Sequence, residues 1–147
     1  MQRIIGSAYH RIHRVLDMLC LGLSCQCMPA YSLHIQTQWR LIYDHQIILA
    51  SRDMYIPFSE TAGEDWDYSI QGRPDEESSV FDVVCRKVHH LMEGSFVTNC
   101  TVSEFGDLQI SFSNNVLFQI FIPTSVRDEE WRLVDMIRDE HIIFYDV

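Results

Sequence analysis

Between Leu108 and Pro123 the chain reads LQISFSNNVLFQIFIP, and no other stretch limits the fold so much. Leu108, Ile110 and Phe112 alternate with Gln109, Ser111 and Ser113, the period of a strand with one face buried and one wet. Asn114-Asn115 follows, and Asn tolerates positive φ, so a two-residue type I′ turn is expected. Val116, Phe118, Ile120 and Ile122 share one face of the returning strand, and Pro123 ends it because it cannot donate to a ladder. Upstream, Phe96 to Val102 is a further apolar run, turned into the next strand by Glu104-Phe105-Gly106-Asp107. Three antiparallel strands so close in sequence form a meander, and a meander needs a cover on its apolar face.

The cover is expected from Val80, Phe81, Val84, Val88 and Leu91, which recur at helical spacing. Asp75, Glu76, Glu77 and Ser78 suit the first turn of that helix, and Gly94 its end. Tyr31 to Tyr43 reads as one long half-buried strand: Leu33, Ile35, Thr37, Trp39 and Leu41 on one face, His34, Gln36, Gln38 and Arg40 on the other. Asp44-His45 turns it back into Gln46 to Ala50. Tyr9, Ile12, His13, Leu16 and Leu19 fall at helical spacing, so a short helix is expected to lead into a strand near Leu23. Ser24 to Ala30 reads as a loop. Thr124 or Ser125 is expected to cap a short helix through Asp135, and His141 to Val147 to form a terminal strand. The expected architecture is a single α+β domain over residues 1–147: an antiparallel sheet of about six strands, one long helix packed on a face, and short peripheral helices.

Charge narrows the function. The 147 residues carry a net charge of −10, and the imbalance is uneven. Residues 1–52 hold five Arg against Asp17 and Asp44, whereas residues 59–82 hold eight acids against Arg73 alone. Residues 128–147 hold seven acids against Arg132 and Arg138. Phosphate backbones repel such a surface, so nucleic acid is not the expected partner; the charge suits a basic protein partner or else serves solubility alone. Pro57 to Ser79 is polar, acidic and broken by Gly63, Gly72 and Pro74, the pattern of a long mobile loop. No apolar run approaches the ~18 residues that span a membrane. Five Cys with no paired spacing suit a reducing cytoplasm, where they serve as small apolar core residues.

Chemical motifs are sparse. Five of the seven histidines, His34, His45, His89, His90 and His141, invite a metal or catalytic reading but lack ligand partners at suitable spacing, so no metal, cofactor or catalytic residue is assigned. Neither a G-x-S-x-G elbow, an H-E-x-x-H helix, a P-loop nor a dinucleotide fingerprint occurs. Trp39-Arg40-Leu41 and Trp131-Arg132-Leu133 repeat a triplet, read as core Trp beside ion-pairing Arg, or as a pair of binding hot spots. Arg52-Asp53 is expected to form a buried ion pair with Arg40 or a terminal acid. Partner binding is expected from Asp65, Trp66, Asp67, Tyr68, Asp75 and Glu76 in the acidic loop, together with Glu129 and Glu130. The alternative is an enzyme or small-ligand binder using one polar strand face: His34, Gln36, Gln38, Arg40, Arg52 and Asp53. A third option is a homodimer through an exposed edge strand.

SLHIQTQWRLI with ASRDMYIP (32–42, 50–57), and GDLQISFSNNVLFQIFIP with EEWRLVDMIRDEHIIF (106–123, 129–144), together with Asp17-Met18, resemble a family of small bacterial proteins with no established activity. Its members share an LH-hydrophobic-Q…WR strand and an acidic-WR…H ending. The resemblance implies one continuous domain. In size and acidity such proteins are similar to immunity proteins that neutralise secreted toxins, an antitoxin-like role by analogy alone.

Overall fold

The computed structural model describes residues 1–126 and 128–143. Among them are ten strands and one α-helix, and all strand pairings are antiparallel. The strands are β1 (Ala8–Val15), β2 (Met18–Cys25), β3 (Met28–Ile35), β4 (Gln38–Tyr43) and β5 (Gln46–Ala50), then β6 (Val97–Val102), β7 (Leu108–Phe112), β8 (Leu117–Phe121), β9 (Trp131–Asp135) and β10 (Glu140–Ile143). The helix α1 spans Val80–Met92. The class is α+β, but the strands form two five-stranded sheets rather than one of about six: β1-β2-β3-β9-β10 and β5-β4-β8-β7-β6.

The long alternating run explains the division. Leu33, Ile35, Trp39 and Leu41 are all buried in one core, as the alternation requires. Yet the chain leaves the first sheet after Ile35 and enters the second at Gln38. Gln36 N donates to Glu130 O on one side of this corner, and Thr37 Oγ1 donates to Phe121 O on the other. One inward face thus lines both sheets. The sheets are also joined where Gly6 N bonds Val97 O, Val97 N bonds Ser7 O and Tyr9 N bonds Ser95 O.

The meander is present as β6-β7-β8, with Gly106 at φ 93 in its first turn. Its second turn is not the expected two-residue type I′. Only Asn115 has positive φ (65°), and Phe112 N bonds Val116 O around a three-residue loop. The type I′ signature, two successive residues with positive φ, occurs instead at Asp44-His45 and at Gln26-Cys27. The latter replaces the expected loop over residues 24–30 and leaves Cys27 exposed and Cys25 half-buried rather than in the core.

Two expected helices are strands. β1 contains a bulge between Tyr9 and Arg11, so its inward residues Tyr9 and Ile12 are three apart. That spacing imitates a helix. The expected helix over 124–135 gives way to β9, where Trp131, Leu133 and Asp135 point inward and pair against β3. A five-residue run cannot announce its period, and tertiary pairing decides it. β10 matches the start of the expected terminal strand, of which residues 144–147 lie outside the described residues.

The helix α1 begins at Ser79, whose Oγ accepts from Asp82 N at 3.2 Å, and ends before Gly94, at φ 74. Asp75–Glu77 is a separate 3-10 turn. Phe81, Val88 and Met92 are buried and Val84 is half-buried against the core. The helix does not lie over the centre of the meander. It packs chiefly on β5, on the 3-10 turn Ser51–Tyr55 and on β1, closing the side of the core between the sheets. Trp39 meets Phe81 and Phe118 edge-on, at ring-centre distances of 6.0 and 5.9 Å. Trp131 Nε1 donates to Gly106 O at 2.9 Å, tying the first sheet to the turn before β7.

Candidate functional site

The acidic stretch is built as a closed loop on a fixed base. Phe58 N bonds Ser78 O and Val80 N bonds Ile56 O, so Pro57 and Ser79 meet as a short bridge. Within the loop, Trp66 Nε1 donates to Glu77 O at 2.9 Å, and Tyr68 packs edge-on against Tyr55 with ring centres 4.8 Å apart. The expected partner-binding aromatics therefore also hold the loop to the body. Arg14 is the main fastening. Its side chain is 1% exposed and its guanidinium donates to both carboxylate oxygens of Asp82, to Leu16 O and to Tyr68 O. One buried cation thus joins β1, the turn after it, the loop and the start of α1.

The acids face outward from this scaffold. Glu60, Glu64, Asp65, Asp67, Glu76 and Glu77 are exposed, and Asp75 pairs with Arg86 at 2.6 Å. Bonds from Ser69 hold the Asp67 carboxyl below the usual carboxylate range. In the C-terminal segment, Glu129 pairs with Arg132 at 3.0 Å and Glu130 is half-buried at the sheet corner.

That corner carries a pocket of about 440 Å³, lined among others by Asp17, Gln36, Gln38, Arg52, Tyr55 and Glu130. Of the proposed polar strand face, Gln36, Gln38 and Arg52 meet here, and the rest do not. The bend between sheets sends His34 to the outer face of the first sheet and Arg40 to that of the second. Arg40 Nε donates to Gln119 Oε1 at 2.8 Å, and its guanidinium lies 5.0 Å from the centre of the Phe121 ring. Asp53 Oδ2 accepts Ala50 N at 2.8 Å. The expected buried pair of Arg52 or Asp53 is replaced by this backbone cap, and Arg52 is exposed. Glu130 of the C-terminal segment and Tyr55, which packs on Tyr68 of the acidic loop, line the same pocket.

The outer face of the first sheet has a row invisible in the sequence: His13, Cys20, His34 and Arg132 lie directly opposite one another on four neighbouring strands. Burial, then Arg11 and His34, pulls the His13 pKa below its ordinary value. Burial, then Arg132 and His141, does the same to His34, against a smaller opposing effect of Glu129. Neither Nδ1 atom has a hydrogen-bond partner among the described residues. Glu129 Oε1 sits near Arg132 Nε without a hydrogen-bonding alignment.

Among the described residues no group of three or more His, Cys, Asp or Glu could hold a metal ion. Burial pushes the Cys85 and Cys100 thiols up to about 11, which keeps both protonated near neutral pH and unsuited to nucleophilic attack. Trp39 and Trp131 are both buried, so the repeated triplets contribute to the core, not to two surface hot spots. Among the described residues no helix is long and apolar enough to cross a membrane.

No family model, curated protein or solved structure matches this chain. The assignment of function therefore rests on the site alone.

Proposed function

We propose that the protein is an acidic cytoplasmic binding module that occludes a basic site on a partner protein, in the manner of an immunity protein or antitoxin. The observation that carries this reading is the anchoring of the acidic loop. Arg14, Trp66 and the Tyr55–Tyr68 contact hold its fold, so exposed Asp65, Asp67 and Glu76 need little ordering when a partner arrives. Negative charge speeds encounter with a basic surface, and it disfavours nucleic acid and anionic lipid.

The test is affinity capture from host lysate with the wild-type chain and with the charge-reversed variant D65K/D67K/E76K, at low and high salt. A protein retained by the wild type, weakened by salt and lost with the variant supports the reading. Equal retention by both chains sinks it.

A second reading is favoured by the convergence of Gln36, Gln38, Ser51, Arg52 and Tyr55 on the corner pocket. Amide, hydroxyl and guanidinium groups beside Asp17 and Glu130 suit a small polar ligand. A fragment screen by NMR tests it, with perturbations confined to these residues as support and an unperturbed corner as refutation.

A further inference from the structure

Six exposed apolar side chains lie in the acidic loop or in the segments fastened to it: Val15, Leu16, Tyr55, Ile56, Phe58 and Ile70, each 43% exposed or more. They come from the turn after β1, the base of the loop and the loop itself, and the same fastenings draw Leu16, Tyr55, Ile56 and Phe58 together. Arg14 holds Leu16 O and Tyr68 O on one guanidinium. Tyr68 packs on Tyr55. Ile56 and Phe58 flank Pro57 on the extended base of the loop, bonded to Val80 and Ser78. Exposed apolar residues gathered in one place and rimmed by charge mark interaction sites in soluble proteins.

Leu16 is the most informative of them. It is 55% exposed and has φ 55°, in the left-handed region. The other described non-glycine residues with positive φ are Gln26, Cys27, Asp44, His45, Asn115 and Asp139. Those are small or polar; Leu16 alone is a branched aliphatic in a backbone state that disfavours it, with its side chain in water. The buried guanidinium that bonds its carbonyl maintains this arrangement. Strain that the surroundings hold in place points to a role in contact rather than in folding.

The rim sets the chemistry of the occupant. Asp17 follows Leu16, Glu60, Glu64, Asp65 and Asp67 line the loop, and Arg14 is neutralised by Asp82. Exposed Arg52 shares the corner pocket with Asp17 and Glu130, so acids outnumber free cations around the patch. We infer that Leu16, Tyr55, Ile56 and Phe58 form the contact patch for a partner protein segment that carries apolar residues flanked by Lys or Arg, with Leu16 as its anchor. This deepens the binding reading above and rests on it. A second copy of the chain would bring acid against acid, and an anionic membrane would meet the same repulsion.

The experiment places a photo-reactive benzoylphenylalanine at position 16 or 58 of the full chain in the host cell, with position 109, exposed on the outer face of the opposite sheet, as the control. Adducts from 16 and 58 are expected on one polypeptide, within a segment holding more Lys and Arg than Asp and Glu, at least about tenfold above those from 109. Leu16→Asn, which suits the left-handed turn, is expected to keep the fold by thermal melting and to cut the adduct from position 58 about tenfold. Absence of adducts, equal yield from 109, an acidic segment, lipid, a second copy of the chain, or an unchanged yield in the Leu16→Asn variant overturns the inference. Loss of partner capture in the charge-reversed chain, without adducts at 16 or 58, would sink this inference alone and leave the acidic-loop reading standing.

Discussion

The Arg14 guanidinium grips the Asp82 carboxylate with two bonds, Nε to Oδ1 at 2.9 Å and Nη2 to Oδ2 at 2.7 Å. The arginine is buried at the end of β1, and the aspartate sits in the first turn of α1, 22% exposed. Burial alone would raise the Asp82 pKa, but Arg14 and Ser79 outweigh it and hold the carboxyl below its usual range. The pair also fixes the remaining guanidinium donors on Leu16 and Tyr68, so stability and the proposed binding surface share one support.

Arg14→Met should therefore destabilise the protein by about 3 kcal/mol, because it strands a partly buried carboxylate. In a chain of this length the thermal midpoint should fall by roughly 6–12 °C. Asp82 favours folding only while ionised. Its contribution is complete above the unfolded carboxylate pKa near 3.9 and is lost as pH falls through the lower folded value. Arg14→Met should remove most of that acid-linked loss. Urea unfolding from pH 7 to pH 3 checks both points, and equal stability of variant and wild type at pH 7 would refute them.

His13 and His34 give a second pH dependence at higher pH. Their folded pKa values lie below the ordinary value near 6.5, so the unfolded chain takes up protons first. Stability should hold above pH 6.5 and decline as pH falls below it, toward the folded values. The double variant H13Q/H34Q should flatten this decline between pH 6.5 and 5 in urea midpoints. A wild-type midpoint that stays constant over that range would contradict the account.

What the sequence makes legible is what is local. Leu108–Phe112 and Leu117–Phe121 pair across a few residues, and the Asp44-His45 turn and the Val80–Met92 helix declare their own periods. The partition into two sheets is not local: Gln36-Thr37 look like any interior strand residues until Glu130 and Phe121 bind them from opposite sides. β1 is disguised by its bulge. For the site, the charge run over residues 59–82 is plain in the sequence. The partnership of Arg14 with Asp82, 68 residues away, is not, nor is the row that brings His13 and His34 to opposite sides of Cys20.

Asp135 is a third support. It is fully buried and accepts Arg3 Nη1 at 2.8 Å and the backbone N–H groups of Ile137 and Arg138 at 3.1 Å. Burial opposes its ionisation, but these bonds prevail and lower its pKa. Asp135→Ala should cost about 2–3 kcal/mol, since two turn amides and part of Arg3 lose their acceptor. Asp135→Asn retains an oxygen for the amides and should cost less. Thermal melting of the two variants checks the order, and a larger loss for Asn would overturn it.

Leu16 provides the converse case, a residue whose replacement should stabilise. Left-handed backbone costs an L-residue about 1–2 kcal/mol, less for Asn, whose short side chain bonds locally. Leu16 is more than half exposed, so little burial is forfeited. Leu16→Asn should raise stability by about 0.5–1 kcal/mol, a rise in thermal midpoint of roughly 1–4 °C. Gain of stability with loss of partner contact is the pattern of a position kept for binding at the expense of folding. A lower midpoint for Leu16→Asn would mean that the side chain packs in the native state more than its exposure implies, and the strain attributed to the turn would then have no energetic consequence.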